Sequence, residues 1–352
     1  MHIVIFGLSV SSSWGNGHAT LWRGLIRALD AAGHRVEFFE HDTPYYREYR
    51  DLHELPGDSR LRLYASWDGV RDQARAAADA SDATIVTSYC LDGRAACELV
   101  LDSRARLQVF YDLDTPVTLA RRAAGEDVQY LPRVGLGHFD RVLSFTGGRS
   151  LALLRTKLGA AQADPLYGSV DPAAHRPVAP TPSWRCCCSY LGTWAADRQV
   201  TLETLFLEPA RRRRRDRFLL GGAMYPPSID WPSNVTRIDH VTPDKHPVFY
   251  GSSPLTISVT RRAMSMLGHC PSVRLFEAAA CGVPVLSDWW DGLEEFFVPG
   301  EEILVARTTD EALAALERPR DTLSAIGERA RARVLADHTA TTRAAELVRL
   351  LS

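Results

Sequence analysis

The stretch CPSVRLFEAAACGVPVLSD, Cys270 to Asp288, decides how the rest of the chain is read. Pro271 and Ser272 are a helix start, because proline suits a first turn and a serine hydroxyl can cap exposed N–H groups. Gly282 stops that helix, and Val283–Ser287 is an apolar run of the length of one buried strand. A helix that runs straight into a buried strand is half of a βαβ repeat, the building unit of a parallel sheet.

The same alternation continues outward in both directions. Cys186–Leu191, Arg217–Leu220, Val235–Ile238 and Leu255–Val259 read as strands before the segment, and Ile303–Ala306 as one after it. Asp321–Leu351, rich in Ala, Leu and Arg, reads as helix. Nearer the start, His2–Phe6 runs into Gly7 and a Ser/Gly-rich loop, Leu8–Gly17. A helix follows, with Leu21, Leu25, Ile26 and Leu29 at helical spacing, which Gly33-His34 ends. Val36–Phe39, Ala83–Thr87, Leu107–Tyr111 and Arg141–Phe145 complete a first set of strands, with helices at Gly93–Leu101 and Gly148–Leu158. Pro172, Pro177, Pro180 and Pro182 crowd the stretch between the two series, which reads as a linker.

The expected fold class is therefore α/β, with two facing Rossmann-like, doubly wound domains and a cleft between them. The expected boundaries are 1–167 for an N-terminal domain, 168–184 for the linker and 185–335 for a C-terminal domain. A final helix over 336–352 is expected to pack back on the first domain. Ligands of such folds sit beyond the carboxyl ends of the strands, so chemistry is sought in the loops that leave them.

Composition narrows the class of protein. The 352 residues exceed one ordinary domain, and 45% hydrophobic with 24% charged residues is ordinary for a globular enzyme. A formal charge of −2 gives no reason to expect nucleic acid or an anionic membrane surface as partner. Seven cysteines at irregular spacing make neither a disulfide framework nor a zinc site. With no signal-peptide pattern at MHIVIFG and no apolar run near the roughly 18 residues of a membrane span, a soluble, cytoplasmic protein is expected.

Arg274 and Glu277 give the opening segment its chemistry. The free N–H groups at the helix tip, its dipole and the forked Arg274 favour an anion. Glu277, three residues on, lies on nearly the same face, where its carboxylate can accept two hydroxyl hydrogen bonds of a ribose. An ordinary surface helix with a local Arg–Glu pair is the competing reading.

The segment resembles the C-terminal signature of glycosyltransferases of the two-domain B fold, and specifically the CgeB-like (spore-protein) glycosyltransferase family. The resemblance is carried by Pro271 to Gly282, then Pro284, Ser287-Asp288, Gly292-Leu293 and Pro299 to Leu304, with Tyr190-Leu191-Gly192-Thr193-Trp194, Asp197-Arg198 and Gly15-Asn16-Gly17-His18 elsewhere. It implies that Glu277 holds the donor ribose, that Arg198 meets the diphosphate, and that backbone N–H groups of Gly192-Thr193 face it. Ser272, Val273 and Arg274 complete the implied phosphate cradle, and His240 falls near where the family places the nucleobase. Retaining relatives carry a second glutamate eight residues before the ribose glutamate; here His269 stands there, so the stereochemical course does not carry over.

In the first half, Asn16, Gly17 and His18 lie between the first strand and its helix. A histidine at a helix N-terminus is held neutral and can accept a hydroxyl proton; helix capping is its other reading. Asp112 and Asp114 follow the strand Leu107–Tyr111, placed to orient His18, bind sugar hydroxyls or act as base. Thr146-Gly147 after the next strand either contacts acceptor or simply makes the turn.

The resulting expectation is transfer of a sugar from a UDP- or dTDP-type donor to a hydroxyl of a small molecule, glycan or protein, with no metal or other cofactor. Three alternatives stand beside it. A nicotinamide oxidoreductase would use Gly7 and Glu40, though Gly7, Gly15 and Gly17 miss the G-x-G-x-x-G spacing. The others are a sugar-nucleotide epimerase of the same fold and a nucleotide-sugar-binding protein without turnover. The run Arg211–Arg215 reads as a solvated helix end or as an attractor of anions.

Overall fold

Thirteen parallel strands in two sheets organise the computed structural model, which describes residues 1–352. The chain divides into two units, Met1–Gly168 with Ala340–Ser352, and Ser169–Thr339.

In the first unit, β1 (His2–Gly7), α1 (Gly17–Ala31), β2 (Arg35–His41), α2 (Pro44–Arg47), β3 (Arg60–Tyr64) and α3 (Trp67–Asp79) come first. They are followed by β4 (Ala83–Thr87), α4 (Gly93–Leu101), β5 (Leu107–Asp112), α5 (Thr115–Ala123), β6 (Arg141–Ser144), α6 (Arg149–Leu158) and β7 (Ala163–Pro165). The sheet order is β3-β2-β1-β4-β5-β6-β7, so winding reverses between β1 and β4. That reversal defines a doubly wound sheet with its switch point beside the β1–α1 loop. Every residue of β4 is buried, as helices on both faces of a parallel sheet require. Phe6 stacks on Phe39 at 5.0 Å in the core with Val86, Phe110 and Val142.

The second unit contains β8 (Cys188–Leu191), α7 (Gln199–Leu202), a π turn over Glu203–Leu207, α8 (Glu208–Arg212), β9 (Phe218–Gly221), β10 (Val235–Ile238) and α9 (His246–Gly251). Next come β11 (Thr256–Ser258), α10 (Arg262–Leu267), α11 (Val273–Ala280), β12 (Val285–Ser287), β13 (Leu304–Val305), α12 (Thr309–Leu316) and α13 (Arg320–Asp337). Its six strands run β10-β9-β8-β11-β12-β13, again with one reversal, between β8 and β11. Cys188, Tyr190, Phe206, Phe218, Ile257 and Leu286 fill its core. The expected α/β fold of two doubly wound Rossmann-like domains is what the chain forms.

The long helix expected at the end is interrupted at His338-Thr339, where α13 stops and α14 (Ala340–Leu350) begins. The His338 ring stacks on Phe276 at 4.6 Å, and a bridge joins Thr339 to Val170, so this break is anchored within the second unit. From Ala340 the chain re-enters the first unit, where α14 packs on α1 with Leu347 fully buried. The arginine run is held by neighbours: Arg211 pairs with Glu203, Arg212 with Glu208 and Asp310, and Arg213 with Asp216. All seven cysteines are free thiols, and burial pushes those of Cys186 and Cys187 up to about 12, which makes them inert. No helix is long and apolar enough to cross a membrane.

Candidate functional site

At the carboxyl edge of the second sheet, the turn after β8 meets the start of α11. Arg274 extends its guanidinium to that turn: Nη1 donates to the Leu191 carbonyl at 2.8 Å and Nη2 to that of Val259 at 3.4 Å. A Cβ on Gly192 would sit 2.5 Å from Arg274 Nη1 and 2.6 Å from the Tyr190 hydroxyl, so the arginine and the phenol together exclude a side chain there. Arg198 Nη1 donates to the Thr193 carbonyl at 3.2 Å, and Tyr225 donates to that of Gly192 at 2.8 Å. Burial raises the Tyr225 phenol, while Arg198 and Arg274 pull against the rise, so both cations act on one small volume. Gly192, Thr193, Arg198 and Arg274 thus share a single turn.

Ser272 is the N-cap of α11, but its side chain caps no helix N–H. Its hydroxyl instead accepts a hydrogen bond from Arg274 Nε at 3.1 Å. This corrects the expected serine cap: the arginine takes the hydroxyl, and the amino end around Val273 keeps its donors for other acceptors. One turn on, Glu277 is 3% exposed. Tyr250 donates to its Oε2 at 3.3 Å, and the rings of His175 and His246 flank it, each with a nitrogen 3.7 Å from a carboxylate oxygen. Burial lowers the His246 pKa, Glu277 opposes that, and His175 and His240 add to it. His240, beyond β10, therefore belongs to the same neighbourhood. Neither histidine beside Glu277 stands out in the sequence, since each reaches it across a long loop of chain.

His269 has a positive φ of 46° and donates its backbone N–H to Asp291 at 2.6 Å. Its ring meets Glu295 at 3.1 Å and packs on Gly292, where a Cβ would lie 2.4 Å from Nδ1. Arg261 is paired with Asp197 at 3.2 Å, beside Arg198 in sequence.

In the first unit, the β1–α1 loop is tied down by Glu40. Its fully buried carboxylate accepts from Ser9 Oγ, the Val10 and Ser11 N–H groups and Ser11 Oγ, at 2.5 to 3.0 Å. With four donors engaged, Glu40 has no capacity for the ribose of a dinucleotide, which removes the basis of that alternative. Asn16 was expected to contact an acceptor. It caps α1 through His18 N–H, and its amide donates to the carbonyls of Ser9 and Ser12. Its polar atoms hold the loop, and exposed Gly17 and half-buried His18 are what the loop presents.

His18 lies 5.7 Å, ring to ring, from Tyr89, and Tyr89 donates its hydroxyl hydrogen to Asp114 Oδ2 at 2.8 Å. Tyr89, which the sequence does not flag, has φ 65°, a conformation a bulky residue adopts only when its surroundings enforce it. Asp112, expected to bind acceptor, is fully buried. Its Oδ1 accepts from Thr118 Oγ1 and the Asp114 N–H at 3.0 and 3.1 Å, and Oδ2 has no hydrogen-bond partner. Burial pushes its carboxyl up to about 7. Asp112 is thus a support beneath Asp114 and does not reach solvent. Thr146 is likewise fully buried against Ser144 Oγ, with Gly147 buried beside it, so these two make the turn.

Residues 198–349, somewhat under half of the chain, match a family model described as glycosyl transferase-like. No curated protein sequence matches. Among solved structures, a sucrose-phosphate synthase from Thermosynechococcus elongatus is similar at TM-score 0.72 and 18% identity, covering 99% of this chain and 98% of its own. Anabaena HepE, solved with UDP-glucose, gives TM-score 0.67 at 12% identity over 100% of this chain and 99% of its own. An alpha-glucosyltransferase solved with UDP and a DNA 13-mer gives 0.67 at 13% identity, over 100% and 99%. At these identities the likeness shows the fold, which is that of the GT-B glycosyltransferases.

Proposed function

We propose that this chain is a glycosyltransferase, CgeB-like in type, that moves a hexosyl group from a UDP- or dTDP-type donor to an acceptor hydroxyl in the cytoplasm. The observation that carries the reading is that Arg198 and Arg274, the latter from the uncapped first turn of α11, both reach the turn that leaves β8 at Leu191–Thr193. Two fixed guanidinium groups and oriented N–H donors neutralise a departing diphosphate without a metal. Glu277 takes the ribose hydroxyls and the segment around His240 meets the base. The three relatives support this reading, two of them having been solved with UDP or its glucose conjugate. Free thiols at all seven cysteines fit a reducing compartment.

On the acceptor side, His18 removes the hydroxyl proton, and Tyr89, whose hydroxyl is tied to Asp114, packs beside its ring. The acceptor is a small molecule, a glycan or a protein side chain.

Differential scanning fluorimetry with UDP, dTDP, their glucose conjugates and NADH tests the donor assignment. A rise in melting temperature with UDP or dTDP compounds and none with NADH is expected. Stabilisation by NADH alone would overturn the assignment. Donor hydrolysis lost in His18→Ala but with nucleotide binding kept would place His18 in the chemistry.

A further inference from the structure

Three side chains from separate parts of the second unit converge where the donor reading needs only one. His175 Nε2 and His246 Nδ1 lie 3.3 Å apart, and each lies 3.7 Å from an oxygen of Glu277. One ligand atom from each residue falls within 4.8 Å of the other two. Donors bound at about 2.0–2.1 Å to a tetrahedral zinc ion sit about 3.3 Å from one another, so the two ring nitrogens already have that spacing, and the Glu277 carboxylate, which faces each ring with a different oxygen, must turn to bring one oxygen to both. We propose that His175, His246 and Glu277 form a three-ligand site for a divalent transition-metal ion, Zn²⁺ by its donor set.

The second shell supports the assignment. His246 Nε2 lies 3.2 Å from the Val241 carbonyl. Its proton is donated there, which leaves the Nδ1 lone pair directed at His175 and Glu277, the usual outer support of a metal-bound imidazole. The carboxylate is held by a long hydrogen bond from Tyr250, at 3.3 Å, although it is almost fully buried. A buried carboxylate with so little donation gains from a cation. Two imidazoles and one carboxylate disfavour Mg²⁺ and Ca²⁺, which prefer all-oxygen sites, and leave a fourth zinc position open to water. Nδ1 of His175 is buried with no partner. That ring has no acceptor to strengthen it as a ligand, so affinity in the micromolar range is expected rather than the tighter binding of a structural zinc centre.

This site also has a regulatory consequence, which rests on the donor role proposed for Glu277. Metal and ribose would draw on the same carboxylate, making zinc an inhibitor competitive with the sugar nucleotide.

Chelator-treated full-length protein titrated calorimetrically with ZnCl₂ should bind one ion per chain. His175→Gln and His246→Gln should each weaken it at least tenfold, with near-ultraviolet circular dichroism confirming that the variants fold. Cobalt(II) added to the unaltered protein gives a check without mutation, as intense visible bands of a four-coordinate N/O site. Absence of stoichiometric zinc binding, or binding unchanged in both glutamine variants, overturns the proposal. UDP, compared with equal inorganic pyrophosphate to cancel chelation, separates the two readings. Zinc bound through the histidines but indifferent to UDP keeps the metal site and removes Glu277 from the ribose. UDP binding without zinc binding does the reverse.

Discussion

In the proposed donor site, Arg274 is the side chain with the most contacts to answer for. It donates from Nε to Ser272, from Nη1 to Leu191 and from Nη2 to Val259 while flanking Gly192, which leaves its remaining N–H groups for a diphosphate beside that turn. Charge-assisted hydrogen bonds contribute about 1.5–3 kcal/mol each, so Arg274→Ala should weaken UDP binding roughly 10- to 100-fold by calorimetry. Arg274→Lys should recover only part of this, because an ammonium cannot reproduce the fork. Asp112 makes a different prediction. Its folded-state pKa, pushed up to about 7 from 3.8, means that the native protein holds a proton the unfolded chain releases between those values. Stability therefore falls as pH rises through that window. Asp112→Asn removes the titration, so its melting temperature relative to wild type should climb from pH 4 to pH 8. A constant difference across that range would show that the carboxyl is not the titrating group.

At the scale of elements, buried parallel strands announce themselves and edge elements do not. Ala83–Thr87, buried throughout, is apolar enough to be read to the residue. Arg60–Tyr64, by contrast, alternates arginine with leucine at the edge of its sheet and gives no clear strand signal, nor does α3, whose interior is mostly alanine and charged residues, give a clear helix signal. The glycines and cations of the Gly192 turn are legible because they stand next to strand ends. Tyr89, Tyr225, His175 and His246 are not legible, because each acts on a partner far away in sequence and nothing in their local pattern points to it. Asn16 and Asp112 show the converse limit: polar residues at a strand end read as ligand contacts until the hydrogen bonds that consume them are seen. The β1–α1 loop carries its own prediction. Glu40→Ala leaves several buried donors without an acceptor, which should destabilise the first unit by about 3 kcal/mol or more in chemical denaturation. Glu40→Asp, too short to reach all of them, should fall between.

For the whole molecule, two units with separate cores make melting a two-part process. A ligand held only by residues 169–339 stabilises that part, by about 2.7 kcal/mol when present at 100 times its Kd. In scanning calorimetry, UDP should therefore move the transition of the second unit upward by about 5 °C or more and leave that of the first nearly in place. Equal movement of both would place nucleotide contacts in the first unit as well. Removal of residues 340–352 should act in the opposite sense, since it strips α14 from α1. The first unit should become the target of limited proteolysis while the second resists.

Because residues 340–352 belong with Met1–Gly168, the order of synthesis and the order of completion differ. A ribosome has released every residue of the second Rossmann-like unit before it supplies the helix that packs on α1 of the first. The half that is translated earliest is therefore the last able to close, and until residues 340–352 emerge it carries an uncovered helix face that chaperones can recognise. A chain cut just short of Ala340 would hold every residue of the second unit and leave the first without its last helix.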